Sequence, residues 1–330
     1  MEIVYLCPKI AKRMGKKTVS VVMCTYNGEQ YLREQLDSIL TQSYPPYEII
    51  IQDDCSTDGT IDILHEYAKS FPQVKVFLNK HNLGFNNNFK SAVMRATGDY
   101  VAISDQDDIW FPEKLQKQVE TIADHDICFS VHLRGSSQDN SVVVRPNYSF
   151  EGMLFTGFAG HTMLLRTSFA QKDESWIEGI VYDWSLGVNA HLGRGIVRVE
   201  EPLNWHRSHQ KSAIRQLRHR LFPSENPHPT WQPYFYGISN YRKLQASILW
   251  ERFYGYLYQH TDNEHFALQH TMCRLMLSKR AIDLWRLCRL CMKHRQTVYP
   301  DSAKTKGLVG RIRSFCYPLI FAYQNQDFNS

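Results

Sequence analysis

The sequence lacks any uninterrupted apolar stretch near the roughly 20 residues that a membrane-spanning helix requires. It also lacks an internal repeat and a low-complexity tract, so neither a solenoid nor a fibrous chain is indicated. The residues before Thr18 hold only a weak apolar run that ends in basic residues, and we therefore expect no signal peptide. These absences favour a globular protein that does not cross a membrane by itself, and we predict a cytoplasmic location.

The cysteines are not arranged as a metal-binding framework. Eight of them are scattered through the chain, and Cys288 and Cys291 form a Cys-x-x-Cys pair without a second such pair. A structural zinc site needs four ligands, so this one pair is weak evidence for a metal. We expect Cys288 and Cys291 to be core or interface cysteines, and we expect the thiols to be reduced.

The net charge of +5 conceals an uneven distribution of charge. Residues 207–330 carry 19 Lys and Arg against 7 Asp and Glu, whereas the remaining residues carry 19 against 26. An acidic part followed by a basic tail indicates an anionic surface or an anionic ligand for the tail. With 330 residues and a hydrophobic share of 43%, the chain can bury a core as one large domain or two smaller ones.

Apolar runs alternate with helical patterns over the first 130 residues. Strands are predicted at Thr18–Cys24, Glu48–Gln52, Val74–Leu78, Tyr100–Ile103 and 126–131, and helices at 30–41, 60–69, 85–96 and 113–123. This alternation is typical of a parallel sheet, whose ligands bind beyond the carboxyl ends of the strands. Further strands are predicted at 141–145, 161–166, 195–199 and 203–206, with helices at 181–192, 211–221, 235–260, 264–297 and 307–324.

The stretch Asp99–Pro112 ends a short apolar run with three carboxylates, Asp105, Asp107 and Asp108. In an extended backbone Asp105 and Asp107 would face one side and Asp108 the other. Oxygen ligands at the end of a strand suit Mg²⁺ or Mn²⁺ with substrate phosphates. The alternative is a solvated acidic loop that caps the next helix, with Pro112 in its first turn.

Three segments in this order resemble the family 2 glycosyltransferases, GT-A enzymes that transfer a sugar from a nucleoside diphosphate with inversion: Val19–Gly28, Ile50–Thr60 and Ile103–Pro112. The resemblance covers about residues 18–210 and is strongest to bacterial surface-polysaccharide members of the rhamnosyltransferase type. It implies an α/β, Rossmann-like, mostly parallel sheet flanked by helices. We expect a tail at 1–17, a nucleotide-sugar half at about 18–131, an acceptor half at about 132–210 and a basic, aromatic-rich helical extension at 211–330.

The resemblance implies a nucleoside site formed by Thr25, Tyr26 and Asp54. The Tyr26 ring would stack on the base, and the Asp54 carboxylate would accept the N3–H of uracil or thymine. The alternatives are a packed loop aromatic for Tyr26 and a helix cap for Asp54. Asp53 would structure the turn.

The resemblance also implies a metal and diphosphate site. Asp105 and Asp107 match the family's Asp-x-Asp motif, with Asp107 as direct ligand of Mn²⁺ or Mg²⁺ and Asp105 as ribose or metal contact. Asp108 would support them. His209 would bind the metal or donate to a phosphate, and Arg207 would offer fixed charge near the diphosphate; ordinary surface residues are the alternative for both.

Asp183, in Val181–Trp184, matches the position of the family's general base at the start of a helix. The alternative is an N-terminal cap of that helix. Trp184 would line the acceptor site or pack in the core. His161 lies in the acceptor-side glycine loop, where the family more often has a cysteine, and this departure leaves its role open.

These assignments predict an inverting, metal-dependent transferase that moves a sugar from a UDP- or dTDP-linked donor to a hydroxyl of a lipid-linked bacterial surface glycan. A non-catalytic scaffold subunit of a glycan-assembly complex is the alternative, and a nucleic-acid-binding role is poorly supported because no known reading module is present. The apolar and basic pattern at Leu284–Arg295 would contact anionic lipid at the inner membrane face, pack on the catalytic domain or mediate oligomers.

Overall fold

The computed structural model describes residues 15–209, 232–299 and 302–324. The chain divides into two compact units. The first contains residues 1–145, 159–176 and 181–213, and the second contains residues 146–158, 177–180 and 214–330, in each case as far as they are described. Two short segments within the first 180 residues therefore cluster with the C-terminal helices.

A mixed sheet forms the centre of the first unit. Its described strands are β1 (Val19–Thr25), β2 (Glu48–Asp53), β3 (Val74–Leu78), β4 (Tyr100–Ser104), β5 (Ile109–Trp110), β6 (Ile127–Gly135), β7 (Ser141–Val144), β8 (Met163–Arg166) and β9 (Ile196–Arg207). The order across the sheet is β3-β2-β1-β4-β8-β6-β9-β5, and β7 pairs with β6. The strands β3, β2, β1 and β4 are mutually parallel, as predicted, whereas β8 is antiparallel to both β4 and β6.

The sequence of the central strands explains why they lie in the middle of the sheet. Every residue of β2 and β4 is buried, and so are all but one residue of β1. Both faces of these parallel strands are covered by helices, which requires near-continuous apolar runs. The helix Glu29–Leu40 contributes Leu32, Leu36 and Ile39 to the core, at the i, i+4 and i+7 spacing of one helical face. The other helices of this unit are Thr60–Ser70, Gly84–Val93, Lys114–Thr121, Thr167–Ala170 and Tyr182–Leu192.

The strands differ from the predicted ones in three places. The strand predicted from His161 begins at Met163, because Gly160–Thr162 form a 3₁₀ turn in which Thr162 Oγ1 donates to the carbonyl of Ala159 at 2.7 Å. The two strands predicted at 195–206 are one strand, β9, with irregular register against β6. The strand β5 is not predicted, because its two residues are too few to show a period and pair with β9 nearly a hundred residues later.

The second unit is helical in its described residues. Its helices are Phe150–Met153, Gln232–Gln245, Ile248–His260, Ala267–Leu277, Ala281–Lys293, Arg295–Val298, Gly307–Phe315 and Tyr317–Gln324. Each long predicted helix is interrupted. The predicted 235–260 helix is divided after Gln245, and the hydroxyl of Ser247 accepts from Leu249 N to cap the next helix. The predicted helix at 211–221 lies outside the described residues.

Aromatic side chains fill the core of this second unit. Trp250 and Tyr254 are fully buried, and each has its polar atom satisfied: Trp250 Nε1 donates to the Met276 carbonyl at 3.1 Å and Tyr254 Oη to the Leu154 carbonyl at 2.7 Å. Cys288 and Cys291 are free and buried, as predicted for core cysteines. Within the described ranges, no helix combines the length and the apolar character needed to span a bilayer.

Candidate active site

The carboxyl ends of β1, β2 and β4 lie side by side, since Thr25 is in register with Asp53 and Met23 with Ser104. Asp53 is buried and structures the turn after β2, as predicted. Its Oδ2 accepts from Thr25 Oγ1 at 2.8 Å and from Ser56 Oγ at 2.5 Å, and its Oδ1 accepts from Ser56 N at 2.8 Å. The hydroxyl of Thr25, a predicted nucleoside contact, therefore already donates its hydrogen bond to Asp53.

Asp54 is buried and holds the loop that follows β3. Its Oδ1 accepts from Asn79 Nδ2 at 2.8 Å and from Leu83 N at 2.7 Å, and its Oδ2 accepts from Gly84 N at 2.9 Å. Gly84 is the first residue of the helix Gly84–Val93, so Asp54 accepts a hydrogen bond from the start of a helix, as a cap does. This helix lies about 30 residues after Asp54 and is not the one that directly follows it. A carboxylate has about four lone-pair directions, which leaves Asp54 room for about one further donor.

Tyr26 presents its ring to solvent, with 53% of the residue exposed. Its backbone is held by Gln106, the middle residue of the Asp-x-Asp motif. Tyr26 N donates to Gln106 Oε1 at 2.9 Å, and Gln106 Nε2 donates to the Tyr26 carbonyl at 3.1 Å. A Cβ on Gly28 would lie 2.2 Å from Gln106 Oε1, so glycine at 28 is required for this pairing. We call these contacts the Gln106 clamp; motif reasoning missed it because it treats the middle residue as variable.

Four side chains form a partly buried acidic and histidine cluster: Asp105, Asp108, His161 and His206 contribute ligand atoms that all lie within 4.8 Å of one another. Asp108 is fully buried; its Oδ2 lies 2.9 Å from His161 Nδ1, and its Oδ1 lies 3.1 Å from His206 Nδ1. The prediction that Asp108 faces away from Asp105 is wrong, because the backbone leaves the extended conformation after Ser104.

The charges in this cluster shift one another's ionisation. Burial raises the pKa of Asp105 to about 7; His161 opposes this rise and Asp108 adds to it. Burial alone would also raise the pKa of Asp108, but His161 and His206 outweigh it and hold that pKa well below its usual range. Asp108 is thus an anion shared by two imidazoles. His206 was not among the predicted ligands, although it lies in a segment that the resemblance covers.

Asp107 and His209, two predicted metal ligands, contact each other directly. His209 Nε2 lies 2.6 Å from Asp107 Oδ2, and both side chains are partly exposed. Arg207 is held between the rings of Tyr31 and Trp205, and its Nε donates to the Asp107 carbonyl at 3.2 Å. Its Nη2 forms an ion pair with Glu34. The Arg207 guanidinium is therefore already paired, and its clearest role in the structure is to hold the Asp107 loop.

Two sets of side chains in the described part of the chain have the donor chemistry of a divalent-ion site. One is the pair Asp107 and His209, and the other is the four-residue cluster. Carboxylates suit Mg²⁺ and Mn²⁺, whereas imidazole nitrogens suit transition metals. The Nδ1 atoms of His161 and His206 face Asp108, and His209 Nε2 faces Asp107 Oδ2, so an added ion at either set would replace an existing contact.

Asp183 lies in the first turn of the helix Tyr182–Leu192. Its Oδ1 accepts from Trp184 N at 2.7 Å. Burial raises the pKa of Asp183 to about 6, against the lowering effect of the Trp184 and Gly160 N–H groups. Trp184 is buried, as its core alternative predicts. Gly160 lies against Tyr182, and a Cβ on Gly160 would be 2.0 Å from the tyrosine oxygen.

Comparisons with known proteins identify a family match and a shared fold. Residues 20–179 match the family model described as Glycosyl transferase family 2. The putative teichuronic acid biosynthesis glycosyltransferase TuaG of Bacillus subtilis is 43% identical over 115 residues, 35% of this chain and 46% of that protein. The dTDP-rhamnosyl transferase RfbG of Shigella flexneri is 37% identical over 105 residues, 30% of this chain and 36% of that protein. The match thus spans less than half of either relative.

A solved structure shows the same fold over nearly the whole chain. The Staphylococcus aureus TarS 1–349 structure, in complex with UDP-GlcNAc, aligns with a TM-score of 0.56 at 17% identity and covers 95% of this chain and 92% of that one. The fold is that of the GT-A glycosyltransferases, as predicted. The match of residues 20–179 to the family model confirms the resemblance seen in the sequence motifs.

Proposed function

We propose that the protein is an inverting glycosyltransferase that moves a sugar from a UDP- or dTDP-linked donor to a hydroxyl of a growing, lipid-linked bacterial surface glycan. The observation that carries the proposal is the position of Asp183, a half-buried carboxylate in the first turn of the helix Tyr182–Leu192. Its pKa is raised, and it lies close enough to His161 of the acidic and histidine cluster for that imidazole to influence its ionisation. The names of TuaG and RfbG support a role in surface glycans and, for RfbG, a dTDP-linked donor.

Asp183 is the proposed general base. A pKa of about 6 leaves the carboxylate ionised at neutral pH and makes it more basic than an ordinary aspartate. The N–H groups of Trp184 and Gly160 orient it. The acceptor oxygen attacks the anomeric carbon and gives its proton to Asp183, while the bond from that carbon to the diphosphate oxygen breaks and its electron pair leaves with the nucleoside diphosphate. One displacement of this kind inverts the anomeric configuration.

The nucleoside is proposed to lie between the Tyr26 loop and Asp54. The exposed Tyr26 ring offers a stacking face, and the remaining lone-pair direction of Asp54 accepts the N3–H of a pyrimidine. Thr25 contributes indirectly, as the residue before Tyr26, because its hydroxyl donates a hydrogen bond to Asp53.

Asp107 and His209, with Asp105 as ribose or metal contact, are the residues that would hold Mn²⁺ or Mg²⁺. A divalent ion there would offset the charge that develops on the leaving diphosphate. Arg207 keeps the Asp107 loop in place, and Asp108 fixes the orientations of His161 and His206 on the acceptor side. Trp184, next to Asp183, is buried in the core.

The test is a thermal-shift screen with UDP, dTDP, GDP and CMP, each with Mn²⁺, Mg²⁺ or EDTA, followed by sugar transfer with the nucleotide that stabilises the protein. Asp183→Asn is expected to keep nucleotide binding and lose turnover, and Asp107→Ala is expected to lose the effect of the metal. Turnover by Asp183→Asn would remove it as the base. No stabilisation by any nucleotide would favour the non-catalytic scaffold.

A lipid-linked acceptor would place the protein at the inner face of the membrane. We include an anionic membrane surface among its proposed partners because residues 207–330 carry 19 basic against 7 acidic side chains.

A further inference from the structure

The helix Gly307–Phe315 exposes its apolar residues and buries its small ones. Leu308, Val309 and Ile312 are 73%, 66% and 52% exposed, whereas Gly310 and Ser314 are buried. Successive residues of a helix are separated by about 100°, so Leu308, Val309 and Ile312 form one face, and Gly310 and Ser314 lie on the opposite one. This is the reverse of an ordinary surface helix, whose apolar face is turned towards the core.

The small residues explain why this orientation is fixed. A Cβ on Gly310 would lie 2.3 Å from the carbonyl carbon of Thr305, so the helix approaches the preceding turn more closely than any larger residue allows. Ser314 Oγ donates to the Gly310 carbonyl at 2.8 Å, so the serine hydroxyl is satisfied on the buried side. Rotating the helix to bury Leu308 and Ile312 would break this close contact.

Basic side chains surround the exposed apolar face. Residues 302–324 contain Lys304, Lys306, Arg311 and Arg313 and no Asp or Glu. The neighbouring helix Ala281–Lys293 contacts this helix and exposes Ile282 and Trp285, with Arg289 stacked on the Trp285 ring at 4.8 Å. An apolar strip with a cationic border and an exposed tryptophan has the composition of a helix that lies in a membrane interface.

We propose that the face formed by Leu308, Val309 and Ile312 inserts into the surface of an anionic lipid bilayer, with Lys306 and Arg311 on the phosphate headgroups. Nine helical residues extend only about 14 Å, so the helix lies in the plane of the interface. A second copy of this chain is a poorer occupant, because a symmetric contact would place the same basic residues against each other. The inference rests on the proposed function and adds a defined location to its membrane partner.

The experiment measures binding of the full chain to vesicles by flotation, with phosphatidylcholine alone or with about 30% phosphatidylglycerol. We expect binding to the anionic vesicles that weakens with salt, and a loss of at least about tenfold in Leu308→Ala/Val309→Ala/Ile312→Ala, because apolar area is removed. Alanine preserves helix propensity, so the variant should unfold at the wild-type temperature. Ile248→Ala removes an equally exposed apolar residue on another helix and should bind as the wild type.

Several outcomes would overturn this proposal. The triple variant could bind vesicles as tightly as the wild type, the wild type could bind neutral and anionic vesicles equally, or Ile248→Ala could lose as much affinity as the triple variant. The wild type could also fail to bind vesicles and instead form a concentration-dependent dimer that the triple variant abolishes. Arg311→Gln should reduce anionic binding by roughly fivefold, since each basic side chain near such a surface contributes about that factor. Nucleotide stabilisation is measured on the same proteins, so a failure of the transferase assignment is recognised separately.

Discussion

The Gln106 clamp is the contact whose removal should be most informative about the nucleotide side of the site. Gln106→Ala deletes both hydrogen bonds to the Tyr26 backbone. Gly28→Ala should delete the same bonds from the other side, because the new Cβ would displace the carboxamide, whose Oε1 is 2.2 Å away. The two substitutions therefore act on one interaction, although the residues are far apart in the sequence.

The expected magnitude follows from the number and exposure of these bonds. A hydrogen bond contributes about 0.5–1.5 kcal/mol net, and values at the low end apply here because the clamp is solvent-accessible. Each single variant should thus lose about 1–2 kcal/mol of unfolding free energy. The double variant should lose about the same and not twice as much, since the alanine introduced at position 28 no longer meets a long side chain at position 106. Nucleotide affinity should fall by up to about tenfold in all three, because Tyr26 and the Asp105–Asp107 loop are less preorganised.

The assays are urea unfolding followed by tryptophan fluorescence and calorimetric titration with the stabilising nucleotide. Gln30→Ala, an exposed glutamine of the helix that follows Gly28, is the matched control and should stay within about 0.5 kcal/mol of the wild type. Additive losses in the double variant would refute the reasoning, because they would mean that Gly28 and Gln106 act independently.

Three further predictions concern single residues. Turnover should fall tenfold per pH unit below about pH 6, because Asp183 with its raised pKa becomes protonated there; a pH–rate profile without that limb would contradict its role as base. Lys114 is fully buried, its ammonium has no hydrogen-bond partner among the residues that the structure describes, and burial lowers its pKa to about 7. The unfolded chain therefore binds more protons than the folded one between about pH 7 and 10.5, so the free energy of unfolding of the wild type should rise over that range. Lys114→Met should stabilise the protein by about 1–3 kcal/mol at pH 6 and by little at pH 10. Equal gains at both pH values, measured by urea unfolding, would exclude this role of Lys114. Asp54→Asn places an amide N–H group towards Gly84 N and should lower the free energy of unfolding by about 1–3 kcal/mol. The loss is measured as a lower urea midpoint, with weaker nucleotide binding. An unchanged midpoint would show that the loop does not depend on Asp54.

The parts of the fold that follow from local patterns were predictable. The β-branched runs of β1 and β2 and the acids after them identify the parallel half of the sheet and its ligand edge, because strand period and turn chemistry involve only neighbouring residues. The break in the predicted 235–260 helix could also have been predicted, because a serine before an apolar helix is a capping signal. It was missed because the helical periodicity is similar on both sides of Ser247.

The acidic and histidine cluster was not predictable in the same way. His206 meets Asp108 across 98 residues of sequence, and the orientation of Asp108 depends on a bend that no period indicates. The Gln106 clamp joins side chain and backbone across 80 residues. Family motifs name Asp105 and Asp107 because they recur in a pattern, whereas the partners that fix their geometry are determined by the tertiary fold.

The close contact between Gly160 and Tyr182 couples two positions that are separate in the sequence. A side chain at 160 and a tyrosine at 182 would occupy the same volume, since the Cβ would be only 2.0 Å from the phenol oxygen. Variation at these two sites must therefore be concerted: a larger residue at 160 requires a smaller one at 182. Libraries that vary residue 160 should randomise codon 182 with it, because a larger residue at 160 by itself would collide with the buried tyrosine ring.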